Sequence, residues 1–570
     1  MDQPILKCAV CNEDSKLKCT GCNLISYCSK DHQKKHWSSH KPDCVPYKIV
    51  TDNKLGRHLV ASRDIKANTI ILSELPFVVG PRFHNNYELL QSFVPCLGCY
   101  EAIPINTTQK CPKCQWPVCS EECPGLKESH NHAAECAVLS VCYKTFLSNI
   151  DTKFYRYTAL IILRCLILQR KCPKKWEELI KLQSHVKNRG RGTEEYKEVE
   201  ELVRYLQDNF FVVLEEIETE MTSKVLDDTS SEIIHVIAGI LDINALDIHY
   251  NDHIELSALY PTFSLLEHSC LPNTHYMIDL QQLDSRKKFR IIVKAAGDIK
   301  KGDHLSTMYT HALWGTKMRR KHLFDCKYFR CECKRCVDPT ELGTYISGLK
   351  CLIPQSVTDD DGKTCGGIQL PVDPLDPNSN WSCNRCGMPV SGEDIDFLEA
   401  KMSAEVDSVL AAKISDIEDV LNKLSRFLHP NHYLMYQLKH SLIQLYGMET
   451  GYKTIDLSEN QLQRKIDMCK ELTDIHSRID PYDIRLQLYV IVILYEQHTA
   501  LMELAKREFK KQESNENVLA KLREVRGLLK KCSTVVQSEL QTKTGFKLNI
   551  LLEKSNIDFE EWVQQNAIAL

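Results

Sequence analysis

Residues 263–274 read "FSLLEHSCLPNT". One cysteine, Cys270, stands between His268 and the pair Pro272-Asn273, and Glu267 precedes the histidine. An isolated cysteine is either a small buried hydrophobe or one ligand of a metal whose other ligands come from elsewhere in the chain. The other cysteines bear on that choice. The chain has 570 residues and 27 cysteines. Its first residues, "MDQPILKCAV", lack the apolar run of a secretory signal. Its most apolar stretch, "ALIILRCLIL" (159–168), is too short for a bilayer and contains Arg164. The expectation is a soluble intracellular protein of nucleus, cytoplasm or both, with no membrane partner. In that compartment thiols stay reduced. Cysteines in close pairs with nearby histidines then read as metal ligands.

Outward from that string, the N-terminal cysteines run Cys8-x2-Cys11-x7-Cys19-x2-Cys22-x5-Cys28-x3-His32-x7-His40-x3-Cys44. That set suffices for two tetrahedral zinc sites, and a small domain with little core needs such staples. The rhythm repeats in Cys96-x2-Cys99-x11-Cys111-x2-Cys114-x4-Cys119-x3-Cys123-x8-His132-x3-Cys136. His130 competes with His132, and the His-x3-Cys spacing favours the latter. A DNA-binding zinc protein is a weak reading. Lys30, Lys34, Lys35 and Lys41 are offset by acidic residues, the net charge is −4, and no recognition helix of the common finger type is evident.

Between and after the modules lie strand-like segments. "RHLVASRDI" and "NTIILSELPFVV" (57–79) alternate or run apolar around a turn at Lys66–Asn68, and 289–309 reads as two short strands around a glycine turn. Residues 154–171, 194–217 and 231–242 carry helical periodicity, with "NRGRGT" (188–193) as a loop. A sheet domain is thus split by a helical, zinc-bearing insertion.

"YCSKDHQKKHWSSHKPDC" (27–44) resembles the second half of a MYND finger. "HSCLPN", "KKGDHLSTMY" and "CKYFRCECKRC" (326–336) resemble the signature, tyrosine strand and post-SET segment of a SET domain. In this order they resemble the SET and MYND domain methyltransferases, in particular their arthropod branch. The resemblance implies one zinc on Cys8, Cys11, Cys28 and His32, where the family usually has cysteine at the last position. It implies a second on Cys19, Cys22, His40 and Cys44, with His36 structural. Cys331, Cys333 and Cys336 offer three thiolates where a structural zinc needs four, and the resemblance makes Cys270 the fourth. It implies transfer of a methyl group from S-adenosylmethionine to a lysine of a histone or non-histone protein, in chromatin and transcription regulation. Tyr309 would be the catalytic hydroxyl. Gly56, Arg57, His58, Asn244, Glu267, His268, Tyr309 and Phe329 would contact the cofactor. The family's Gly-x-Gly ends here in His58, and its signature asparagine is Glu267. The first change brings a ring and the second a carboxylate charge towards the cofactor, so the rival reading is a catalytically weak or inactive scaffold that captures partner peptides through the finger.

The expected architecture is α+β and multidomain: a MYND finger at 8–44, a split SET domain at 45–310, a second MYND-like module at 96–136 and a helical insertion at 137–242. A post-SET segment at 325–337 follows. In 345–387, Cys351, Cys365, Cys383 and Cys386 are either a zinc ribbon or separate thiols, since only the last two form a Cys-x2-Cys pair. Residues 390–570 read as a tetratricopeptide-like helical domain that binds partners, walls a substrate cleft or only supports the rest. A monomer is expected.

Overall fold

The strand Gly56–Ala61 starts at a glycine with φ of +69°, a conformation that a side chain resists. It pairs antiparallel with Tyr47–Asp52, which places Asp52 opposite Gly56 and Val50 opposite His58. The computed structural model describes the chain except residues 1–6, 16, 20–24, 83–91, 105, 108, 128–131, 144–156, 219–225, 281–287, 355–364, 411, 513–514, 538 and 541–542. It divides into two compact units, Met1–Glu267 with Tyr276–Leu305, and His268–His275 with Ser306–Leu570. The chain therefore passes from one unit to the other inside the string quoted first.

In the first unit, Val78–Arg82 pairs with Glu255–Leu259, which pairs with Leu246–His249. Ile70–Glu74 pairs with Arg290–Ala295, whose residues alternate between buried and half-buried along the strand. That alternation follows from the two-residue period of a strand. Leu59, Ala61, Ile71, Leu256, Ala258, Tyr260, Ile291 and Val293 form the core beneath. The turn expected at Lys66–Asn68 is present, with Asn68 at φ +63° and Asp298 holding Lys66 and Ala67 N–H.

The helices of the insertion leave the sheet after Val78–Arg82 and return at Leu246–His249. Thr158–Lys171 is buried along most of its length and packs on Val78–Arg82. Gly80 permits the approach: a Cβ there would stand 2.6 Å from Ile161 Cβ. Glu194–Leu206 continues through a π-helical turn, Gln207–Phe211, into Val212–Glu218, and Ser231–Asn244 follows. Thr193 and Ser230 cap two of these starts by accepting from backbone N–H groups. The structure adds Pro173–Ile180. Its proline occupies the first helical turn, where the missing N–H costs nothing.

In the second unit, a four-stranded sheet of Leu349–Lys350, Ile368–Pro371, Trp381–Cys383 and Pro389–Val390 precedes the helices. The helices are Gly392–Val409, Ile414–Leu424, Tyr433–Leu445, Glu459–Ile479, Gln487–Lys510, Asn515–Val536 and Lys543–Gln565, each packed on its neighbour in sequence. Their lengths vary from 11 to 24 residues, so no constant repeat period emerges. Among the described residues no helix is long and apolar enough to cross a membrane.

Candidate functional site

Among the described residues, the first cysteine-rich module gathers one group of four candidate ligands and the second gathers two, interleaved in sequence. Cys8, Cys11, Cys28 and His32 place their ligand atoms within 4.8 Å of one another. Ser29 caps the helix Lys30–Cys44 by accepting from His32 N–H, which sets the first turn that carries His32. His32 Nδ1 stands 3.2 Å from Cys28 Sγ and 3.5 Å from Cys8 Sγ. The same helix supplies His40 and Cys44, and Cys44 Sγ lies 3.6 Å from Cys19 Sγ. Cys22 lies outside the described residues. His36 pairs with the buried Tyr27 hydroxyl at 3.0 Å and stacks on His40, a supporting role.

In the second module the groups are Cys96, Cys99, Cys119 and Cys123, then Cys111, Cys114, His132 and Cys136. His130 lies outside the described residues. His132 Nε2 is 3.4 Å from both Cys111 and Cys114 Sγ, while its Nδ1 donates to Glu135 at 3.1 Å. Arg164 donates to both oxygens of Glu135, at 2.6 and 2.7 Å. A carboxylate that fixes a ligating histidine is a recurrent support of metal sites. Glu135 is fully buried. Burial would raise its carboxyl, but the charges and hydrogen bonds of Arg164 and His132 together hold it low. The arginine inside the most apolar stretch thus supports a candidate metal site. The sequence pattern gave no pointer to its carboxylate partner.

In the second unit Cys270, Cys331, Cys333 and Cys336 converge within 4.8 Å. Four thiolates around Zn²⁺ leave a net negative centre. Beside it is the fully buried Arg319, whose Nε donates to Cys270 Sγ at 3.2 Å and Nη2 to Cys336 Sγ at 3.5 Å. Glu341 takes Nη1 of Arg319 at 2.6 Å and Nε of Arg335 at 3.1 Å. Burial would raise the Glu341 carboxyl, but the two guanidinium groups hold it at about 2. A buried cation against the sulfurs fits a dianionic zinc–thiolate centre.

His268, Tyr309 and Phe329 meet beside this cluster. Their ring centres are 5.4 Å (268–309), 5.8 Å (268–329) and 6.5 Å (309–329) apart. Tyr309 N–H donates to His268 Nδ1 at 3.0 Å, which leaves the proton on Nε2, 3.4 Å from Cys270 Sγ. Burial pushes the imidazole down to about 3, so it is neutral. His268 therefore ties the tyrosine strand to a zinc ligand. Both its ring nitrogens are engaged.

The remaining candidates lie in the first unit. His58 is buried in an ordinary strand conformation, and its Nδ1 donates to Gly56 O at 3.1 Å. Its ring stacks on His304 at 4.6 Å, and His304 Nδ1 donates to Glu267 Oε2 at 2.9 Å. The two residues that depart from the family are thus joined through His304, which sequence reasoning passed over inside "KKGDHLSTMY". Arg57 Nη2 donates to Lys181 O at 2.6 Å. Asn244 ends the helix Ser231–Asn244, with Nδ2 donating to Gln183 O and Ile240 O, both at 2.8 Å. A cavity of 430 Å³ elsewhere in the second unit, lined by Lys350, Leu421, Met435, Lys439 and Arg464 among others, has none of the candidate residues in its wall.

Residues 8–44 match the MYND finger family and residues 56–310 the SET domain family. The SET domain-containing protein SmydA-8, isoform A, of Drosophila melanogaster is 27% identical over 409 residues, 69% of this chain and 77% of that protein. The histone-lysine N-methyltransferase ASHR1 of Arabidopsis thaliana is 23% identical over 442 residues, 75% of this chain and 81% of that one. The solved structure of Rubisco LSMT bound to AdoMet aligns with 93% of each chain at 11% identity and a TM-score of 0.26, too slight a likeness to weigh.

Proposed function

Because residues 8–44 and 56–310 match the MYND finger and SET domain families, we propose that this chain is a SET and MYND domain protein and an S-adenosylmethionine-dependent protein-lysine N-methyltransferase. One observation carries the reading: the rings of His268, Tyr309 and Phe329 meet on the segment that delivers Cys270 to the post-SET cysteines. His268 with Cys270, Tyr309 and Phe329 come from three separate stretches of the chain and are assembled together, as the methyl-transfer reading requires.

The proposed cofactor contacts are Gly56, Arg57, His58, Asn244, Glu267, His268, Tyr309 and Phe329. Gly56 fits this role. It has positive φ, and nothing lies within 4 Å of where a Cβ would point, so its backbone is open to a ligand. Asn244 Nδ2 is engaged with Gln183 O and Ile240 O, and among the described residues its Oδ1 has no hydrogen-bond partner. S-adenosylmethionine, when bound, supplies an electrophilic methyl on a sulfonium. The chain's own part is alignment. The Tyr309 hydroxyl orients the substrate amine, and His268 fixes the backbone of Tyr309. The lysine reacts as the neutral amine, which burial against the protein favours.

The substrate is a lysine of a histone or non-histone protein; the histone-lysine activity named for the Arabidopsis relative supports the first. The finger, with exposed Leu17 and Trp37, is suited to partner peptides. A peptide-binding scaffold without catalysis is the second reading, favoured by His58 and Glu267 at the two departing positions. Calorimetric titration of S-adenosylmethionine into zinc-replete protein, followed by labelled methyl transfer to core histones and other candidate proteins, separates the two. Binding and transfer to a lysine remove the scaffold reading. No binding at millimolar cofactor removes the enzyme.

A further inference from the structure

We propose that Cys351, Cys365, Cys383 and Cys386 hold a further structural zinc ion, and that this ion fixes the loop between Ile368–Pro371 and Trp381–Cys383 against the post-SET segment. The four sulfurs lie within 4.8 Å of one another. The strands around them are only two to four residues long. A sheet this small is not stable without a partner layer or a staple. Along one side, Leu349, Trp381 and Val390 join the apolar core of the helices. At the other end the buried cluster consists of Cys351, Cys365 and Cys383 alone. Among the described residues the interior there is sulfur, with no aliphatic side chain in its place.

The backbone is shaped for thiolates. Arg385 and Cys386 N–H both point at Cys383 Sγ, at 3.4 and 3.5 Å. Cys333 N–H faces Cys331 Sγ at 3.4 Å in the post-SET cluster, and Cys119 N–H faces Cys96 Sγ at 3.2 Å in the second module. Donors of this kind favour the charged sulfur. The opposite turn leaves room for the sulfurs: a Cβ on Gly367 would stand 2.4 Å from Cys383 Sγ. Cys351 N–H donates to Gly367 O and Cys365 N–H to Ile353 O, which brings the widely spaced first pair together. An all-sulfur tetrahedral set selects zinc among the common divalent ions.

The loop gives the ion its second role. Leu375 packs against the cluster of Cys270, Leu323, Cys331 and Cys336, together with Tyr309 and Phe329. Arg320 donates Nη2 to Leu375 O at 2.7 Å and Nη1 to Cys331 O. One arginine thus links the loop to a post-SET ligand.

The test uses the full-length chain purified under reducing conditions without added metal. Native mass spectrometry of the Cys365→Ser/Cys383→Ser variant is expected to show one zinc fewer than the parent. An Asp-specific endoprotease is expected to cut faster at Asp373 and Asp376 in that variant. An unchanged zinc count overturns the site, and unchanged cleavage overturns its hold on the loop. A measurement on the parent does not depend on the variant's folding. Cys386 is exposed, as is Cys326, yet it is expected to react with iodoacetamide at least about tenfold more slowly until a chelator is added, because a metal-bound thiolate is shielded. Equal rates before chelation overturn the proposal, as does recovery of a disulfide among these four cysteines.

Discussion

His304 connects Glu267 to His58, so neither departing side chain acts alone. Removing Glu267 takes away the carboxylate that accepts from His304 Nδ1, and removing His58 takes away its stacking partner. The variants Glu267→Asn and His58→Gly should therefore be non-additive, with a coupling of about 0.5 kcal/mol or more in denaturant unfolding. Additive effects would show that the three side chains are mere neighbours. Tyr309 is a different case. Its backbone position is fixed through His268, whatever its hydroxyl does. Tyr309→Phe should keep cofactor affinity within about threefold and lower turnover by about 10²-fold, since the lost interaction belongs to the transferring methyl. A loss of affinity equal to the loss of turnover would reassign the hydroxyl to binding. The ligand residues could be read from the sequence because zinc demands particular residue types at particular spacings. His304, Glu135, Arg164, Arg319 and Glu341 could not. Glu135 stands in the first turn of the helix that follows His132, and the others act from a separate turn, helix or loop; a lone charge in a sequence carries no sign of what it will face.

At the level of elements, two segments are proposed to depend on a metal centre and on the charge beside it. Four sulfurs hold the post-SET segment, and three of them belong to it. Cys270→Ala removes the one ligand from outside, and a three-thiolate site loses much of its affinity. Proteolysis near residues 325–340 should accelerate; unchanged digestion and zinc content would make Cys270 a core residue only. In the second module, Arg164→Met leaves Glu135 buried, charged and without its guanidinium partner. Breaking a buried pair from one side costs about 3–5 kcal/mol. The double variant Arg164→Met/Glu135→Leu should recover part of that stability while weakening zinc retention, because His132 then lacks its orienting carboxylate. Urea melts together with metal release rates measure both. Recovery of stability with unaltered zinc release would mean that the carboxylate does not orient the histidine. The long insertion helices were legible because their apolar faces repeat over many residues. Pro173–Ile180 was not, because a proline that opens a short helix reads in sequence as a break.

Across the whole molecule, apolar packing and metal ligation divide the work of holding the fold. The helices of the second unit share a large buried core of leucine, isoleucine and valine side chains from Leu434 to Val563, which needs no metal. The clusters beneath the finger, the post-SET segment and the small sheet are made mostly or wholly of cysteine. Stripping zinc with a strong chelator under reducing conditions should therefore act selectively. Far-UV circular dichroism should retain most of its helical signal, because that core survives. The MYND-type modules and post-SET segment should open to protease, and about five zinc ions should be released from them by the four-ligand count. Cofactor binding should disappear in the same preparation, because His268 and Tyr309 are tied to Cys270 and move with it. In zinc-replete protein, cofactor at about 100 times its dissociation constant should add about 2.7 kcal/mol of stability. After chelation that increment should vanish, although the helices remain folded. Loss of the whole helical signal on chelation would show that the metal sites support the entire second unit. Full cofactor binding by zinc-free protein would separate the post-SET cluster from the site altogether.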